Sequence, residues 1–301
     1  MTEGTEQAEY QSRLAAAGII SDYRAVLVRG IPQNPMFDVR AFEDVIDNFQ
    51  TKHGDVFVAT YVKAGTTWVQ QILHGLLSGG KSDGRYGETV PWLEACASSP
   101  DGIGPREAPG WTMEKINAAP APRYFKTHAR VEDLPRGAAQ PRVVYVARNP
   151  KDTVVSLFHH ARNKPEFGFT GDFETFVEIF LSELAENGSW FDHVLGWHQE
   201  CLQNPETHLF LKYEDLCDDT PGVVVQLANF LGLSINDEIL AGTLRAARLD
   251  DMKEHASIGL NHLRKGGYGG WRSVFTGEMN EQFDQLYSHK MTTSELTFRF
   301  E

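Results

Sequence analysis

Cysteine is scarce in this chain, and positive charge is in deficit. Three cysteines, Cys96, Cys201 and Cys217, stand among 301 residues. They have no metal-ligand spacing and leave one thiol over, which argues against a disulfide framework and fits a reducing compartment. Lysine and arginine together number 28 against 41 aspartates and glutamates, a net charge of −13. With a pI near 5.3, nucleic acid and anionic membrane are excluded as general partners, because both require a basic surface. Any anion site is therefore local. No apolar run reaches membrane-spanning length, and the opening MTEGTEQAEY lacks the basic and apolar regions of a signal peptide. A soluble, cytoplasmic protein is expected. Linker composition is also missing, so residues 1–301 are expected to form one domain, with residues 1–12 poorly ordered.

What is present centres on Asp55–Leu77, DVFVATYVKAGTTWVQQILHGLL. Val56, Phe57, Val58, Ala59, Tyr61 and Val62 form a near-continuous apolar run, the mark of a strand covered on both faces. A loop follows at Lys63-Ala64-Gly65. Thr66, Thr67 and Trp68 then open a helix whose apolar positions Val69, Ile72, Leu73, Leu76 and Leu77 recur at helical spacing. The first N–H groups of such a helix lack intrahelical acceptors and bind phosphate-like anions. Lys63 adds a full charge beside them, and the threonine hydroxyls add further donors.

Three more strands read as buried and end in polar residues. Arg123–Lys126 leads into Lys126-Thr127-His128, Arg142–Ala147 into Arg148-Asn149-Pro150-Lys151-Asp152, and His208–Lys212 into Tyr213-Glu214-Asp215. Helices are expected at Val39–Phe49, Thr153–Ala161, Phe173–Leu184, Trp190–Leu202 and Glu238–Ala246. Strands alternating with helices predict a three-layer α/β fold with a mostly parallel sheet, which binds ligands at the carboxyl ends of its strands. Ser78–Pro122 has the composition of a long loop, with a short helix near Trp92–Ala97. Near the end, Arg264-Lys265-Gly266-Gly267-Tyr268-Gly269-Gly270-Trp271-Arg272 is glycine-rich and basic, a segment able to wrap an anion.

Together YVKAGTTW, KTH, RNPKDTVVSLFHH, YED and RKGGYGGW, in this order, resemble the cytosolic sulfotransferase family. The resemblance implies a P-loop-like fold and the sulfuryl donor 3′-phosphoadenosine 5′-phosphosulfate (PAPS), whose product is adenosine 3′,5′-bisphosphate (PAP). It assigns Lys63, Gly65, Thr66 and Thr67 to the 5′-phosphosulfate. Arg148, Ser156, Arg264, Lys265 and Gly266 fall to the 3′-phosphate, and Trp68 and Tyr213 to the adenine. His128 becomes the general base, with Lys63 and Lys126 assisting; an imidazole is suited to accept a proton near neutral pH. Ala64 stands where the family usually has serine. Arg248 and Leu249 replace a phosphate-binding hydroxyl and an adenine-stacking aromatic.

The implied reaction is in-line sulfuryl transfer to a hydroxyl or amine of a small-molecule acceptor. As in phosphoryl transfer, positioning and charge stabilisation dominate it. No Asp/Glu ligand set accompanies the loop, so no metal is expected. A nucleotide-dependent phosphotransferase and a non-catalytic nucleotide-binding module are the rival readings. The first needs a GxxxxGK[ST] loop, whereas here the lysine precedes the glycine. The second needs neither Lys63 nor His128. Acceptor selection is expected from the Trp92 loop, the segment Phe158–Phe169, and a polar lid running through Lys253, His255 and His262 into the glycine cluster. In Arg272–Glu281 a family dimer pattern carries Gly277 in place of valine. A monomer or weak homodimer is therefore expected, since each loss counts twice across a two-fold contact.

Overall fold

The strand β3 (Val56–Thr60) is buried along its whole length. In the computed structural model, which describes residues 3–81, 86–99, 110–255 and 266–301, it occupies the middle of a sheet. A short antiparallel hairpin precedes it, β1 (Val26–Val28) with β2 (Ile31–Gln33). The main sheet is parallel in the order β4-β3-β5-β6, with β4 at Tyr124–Thr127, β5 at Arg142–Ala147 and β6 at His208–Lys212. Register pairs Phe57 with Phe125 and Val143, so all four strands run the same way and end at one edge. From β3 the chain goes to one side for β4 and to the other for β5. That reversal opens a crevice at the carboxyl end of β3.

Helices cover both faces, as the alternating pattern predicts. On one face Phe57, Ala59 and Tyr61 join Val143, Tyr145, Phe176, Phe180, Trp190 and Trp197 in a large core. On the other, Val56, Val58, Val144 and Val146 meet the helix Thr66–Leu77 and the helix Thr220–Leu231. Strand residues alternate between the two, the period-2 geometry of a pleated sheet. At the opposite edge from the crevice, the Arg123 guanidinium binds the Asp55 carboxylate at 2.5 Å, both buried, and ties β4 to the start of β3. Among the described residues no helix is long and apolar enough to cross a membrane.

Two expectations change. Met1 and Thr2 lie outside the described residues, but the rest of the segment expected to be poorly ordered is helical: Glu3–Ala16 is a helix, with Tyr10 and Leu14 buried in the core and the Tyr10 hydroxyl donating to Leu184 O at 2.7 Å. Only two apolar residues one helical turn apart anchor it, and their docking supplies what the acidic local composition does not. The first buried strand also ends at Thr60 rather than Val62, because the chain turns at Tyr61 and Val62 to enter the loop.

Candidate active site

The crevice at the sheet edge is a cavity of about 1010 Å³, lined by residues from the ends of β3, β4 and β5. Its floor is the loop after β3. Lys63 takes φ +68 and Gly65 φ +102, both left-handed. A side chain at 65 is barred twice, since a Cβ there would lie 2.6 Å from Tyr213 Cδ2. The first intrahelical bonds run from Trp68 N and Val69 N to Gly65 O, at 3.0 and 3.2 Å. The N–H groups of Gly65, Thr66 and Thr67 precede that ladder, and no side chain caps it. Lys63, Gly65, Thr66, Thr67 and Trp68 all line the cavity.

His128 follows β4, and its ring orientation is set by β3. Its Nδ1 is 2.9 Å from Thr60 O. A carbonyl accepts only, so Nδ1 carries the proton and Nε2 is the basic nitrogen of the neutral ring. Thr60 Oγ1 is 3.2 Å from Nδ1 and 2.7 Å from Thr66 Oγ1, linking the histidine to the first turn of the loop helix. Trp92 packs edge-on against the His128 ring at 5.3 Å, and Lys126 Nζ lies 3.9 Å over the same indole. Lys126, His128 and Trp92 line one wall, as the two-residue spacing on an extended segment predicts.

Sequence reasoning missed the support beneath this histidine. His193 Nε2 donates to His128 O at 3.1 Å and accepts from the Tyr145 hydroxyl at Nδ1, 2.9 Å away. Burial lowers the His193 pKa to about 4, so the ring stays neutral and keeps that donor across the physiological range. Asn187 Nδ2 reaches the same carbonyl at 3.2 Å. On the helix Leu93–Ala97, Glu94 accepts from the Thr127 hydroxyl next to the histidine. Burial raises the pKa of its carboxyl. Nothing in the spacing marks His193 or Asn187, since each meets His128 only through packing some sixty residues away in the chain.

The other end of the cavity is built by Arg148 and Tyr213. The Arg148 guanidinium stacks 4.4 Å over the Tyr213 ring, donates to Gly267 O at 3.0 Å, and buries an Nε with no hydrogen-bond partner among the described residues. Tyr213 meets Trp68 edge-on at 5.5 Å, and burial pushes its phenol up to about 12. Ser156, Gly266 and Leu249 complete this end. Arg248 lines it too, though largely exposed and 3.8 Å from Asp251. Arg264 and Lys265 lie outside the described residues, as does most of the polar run proposed as a lid. Gly266–Arg272, the described remainder of the glycine cluster, is joined to the core through Gly269 N and Trp271 N, which donate to Asp152 at 2.6 and 3.1 Å. An unpartnered guanidinium nitrogen, a helix start and a glycine cradle together fit an anionic nucleotide with aromatic neighbours for its base.

The segment Phe158–Phe169 behaves differently from expectation. Phe158, Phe167 and Phe169 pack into the core with Phe173, Phe176 and Tyr23, while His160, Lys164 and Glu166 face the cavity. Opposite them stands Glu186, whose carboxyl is pushed up to about 7 by burial. Folded protein therefore holds this proton up to about pH 7, whereas an unfolded chain releases it near 4.5. The associated stability is fully present below the unfolded pKa and is lost as pH rises through 7. Comparing pH 5 with pH 8, Glu186→Gln is expected to gain on the parent protein by about 2 kcal/mol in urea unfolding. Equal pH slopes for the two proteins would contradict it.

A sulfotransferase-domain family model matches residues 53–295. Cytosolic sulfotransferase 1 of Danio rerio is 35% identical over 274 residues, spanning 85% of this chain and 89% of that protein. Sulfotransferase 1A1 of Rattus norvegicus is 31% identical over 300 residues, spanning 92% and 97%. Among solved structures, mouse sulfotransferase SULT7A1 complexed with PAP superposes with a TM-score of 0.75 at 28% identity, covering 91% of this chain and 96% of its own.

Proposed function

Because the chain belongs to the cytosolic sulfotransferase family and is a PAPS-dependent sulfotransferase, we propose that it transfers the sulfuryl group to a hydroxyl or amine of a small molecule, with His128 as general base. The observation that carries this reading is the Thr60 O contact at 2.9 Å, which commits Nδ1 as donor and gives Nε2 the basic lone pair on a cavity wall. There it accepts the proton that the acceptor loses as its heteroatom becomes nucleophilic. When bound, the donor supplies the sulfuryl group and a phosphate leaving group. Lys63 and the Gly65, Thr66 and Thr67 amides would hold the 5′-phosphosulfate, and Lys63 would balance charge growing on the departing oxygen. Lys126, pinned over Trp92, adds a second positive charge to the same wall.

Arg148, Ser156 and Gly266, together with Arg264 and Lys265, would hold the 3′-phosphate. Trp68 and Tyr213 would frame the adenine, beside Arg248 and Leu249. PAP is then expected to bind far more tightly than AMP in calorimetry, because charge-assisted hydrogen bonds to the extra phosphate contribute a few kcal/mol. Equal affinity for PAP and AMP would sink the donor assignment. Self-association is proposed to be weak or absent: Thr276 caps the helix Gly277–Met291 through Met279 N, and Gly277 offers no side chain to a partner. Sedimentation equilibrium at micromolar loading is expected to return the monomer mass, and a tight dimer would refute this.

A further inference from the structure

Glu186 is 2% exposed, lies on the cavity wall, and has an Oε2 with no hydrogen-bond partner among the described residues. It sits on the turn between the helices Phe173–Leu181 and Trp190–Gln203, where Glu183, Asn187 and Gly188 all take left-handed backbone angles. The turn is fastened from several directions. Glu186 N donates to the Tyr23 hydroxyl, Asn187 N to Pro32 O, and the Tyr61 hydroxyl to Gly188 O. The next residue, Asn187, reaches His128 O, so carboxylate and base are held by one rigid turn. A buried carboxyl oxygen without a hydrogen-bond partner is costly, and holding the proton up to about pH 7 removes the charge but leaves that oxygen unpaired. A position so firmly built is therefore incomplete until something supplies that donor.

The surroundings indicate what supplies it. Asn34 bonds the carboxyl, and His160 Nε2 is 3.6 Å from Oε2, beyond hydrogen-bonding reach. Lys164 lies 3.9 Å from Glu166. Lys63 and Lys126 help hold the ionised form, but on the reading above both face the anionic donor once it is bound. Among the described residues the acceptor end then holds two carboxyl groups, Glu166 and Glu186, beside Lys164 and His160. Trp92, Phe37 and Met36 supply an apolar surface between this corner and His128.

Resting on the sulfotransferase reading, we propose that Glu186 is an acceptor-recognising residue, and that the preferred acceptor is an aromatic alcohol carrying a second group, an ammonium, that donates to Glu186 Oε2. The reacting hydroxyl faces His128 Nε2, while the ammonium takes the place of the proton on Glu186, which is released to solvent, and pairs with the carboxylate so formed.

The test titrates tyramine and 4-ethylphenol, the same phenol without the terminal ammonium, into PAP-saturated protein by calorimetry, with kcat/KM measured in parallel. Tyramine is expected to bind about tenfold or more tightly than 4-ethylphenol, the range of a charge-assisted hydrogen bond. In Glu186→Gln, isosteric and unable to ionise, that preference is expected to vanish while PAP affinity stays in place. Equal binding of the two phenols to the unmutated protein overturns the proposal without reference to any variant. So does a tyramine preference that survives in Glu186→Gln. Failure of PAP to bind at all would instead refute the donor assignment, so the two readings fail separately.

Discussion

Replacing His128 by alanine is expected to lower kcat by about 10²–10⁴-fold, the range over which a positioned general base acts, while PAP binds as tightly as before. The separation follows from the geometry. His128 is linked to the glycine loop through Thr60, whose hydroxyl bonds Thr66 at 2.7 Å, and the loop amides belong to the backbone of residues 65–67 rather than to the imidazole. Removing the ring therefore takes away the proton acceptor and leaves the anion cradle. Single-turnover transfer from radiolabelled donor, run beside PAP calorimetry, reads both quantities. A variant within tenfold of the parent kcat would remove His128 from the mechanism, and a variant that lost PAP as well would mean that the ring supports the loop.

Gly65→Ala is expected to act in the opposite way, collapsing PAP affinity by about a hundredfold or more, with turnover falling in step. Two independent penalties meet at this position. A backbone at φ +102 costs a residue with a Cβ about 1–3 kcal/mol. The new methyl would also stand 2.6 Å from Tyr213 Cδ2 and 3.0 Å from Cε2. Tyr213 cannot simply withdraw, since its ring is buried, faces Trp68 and lies beneath the Arg148 guanidinium. Relief must come from the loop, which moves the amides of residues 65–67 or turns the phenol away from the nucleotide. A loss of about 2–3 kcal/mol in binding corresponds to some hundredfold in Kd. Retention of PAP affinity within threefold, with the variant folded by circular dichroism, would show that the loop relaxes at no cost and that the cradle is not where the donor binds.

The rival readings of the sequence part company here. A phosphotransferase loop places its lysine after the glycine turn, whereas Lys63 precedes Gly65 and takes a left-handed backbone angle itself. A module without catalysis is set aside by membership of an enzyme family whose domain model spans residues 53–295.

The apolar run of β3, the glycine that must turn, and the 3.6-residue period of the helix behind it are properties of neighbouring residues, so the order strand, loop, helix was legible in the chain itself. The same holds for the strand ends carrying His128, Arg148 and Tyr213: in a parallel sheet all carboxyl ends share one edge, and three polar strand ends can only converge there. Tertiary structure alone decided which side chains of the intervening helices and turns complete the pocket. Phe158, Phe167 and Phe169 read as pocket aromatics and instead fill the core, while His160, Lys164 and Glu166 among them face the cavity. Pattern shows that a face is apolar, not which of two apolar destinations it meets. Tyr10 and Leu14 were hidden by an acidic neighbourhood and gain their order from docking rather than propensity. Glu186, Asn187 and His193 gave no local sign at all, because a burial cost, a carbonyl contact and a lowered pKa come into existence only when segments sixty residues apart are brought together with water excluded.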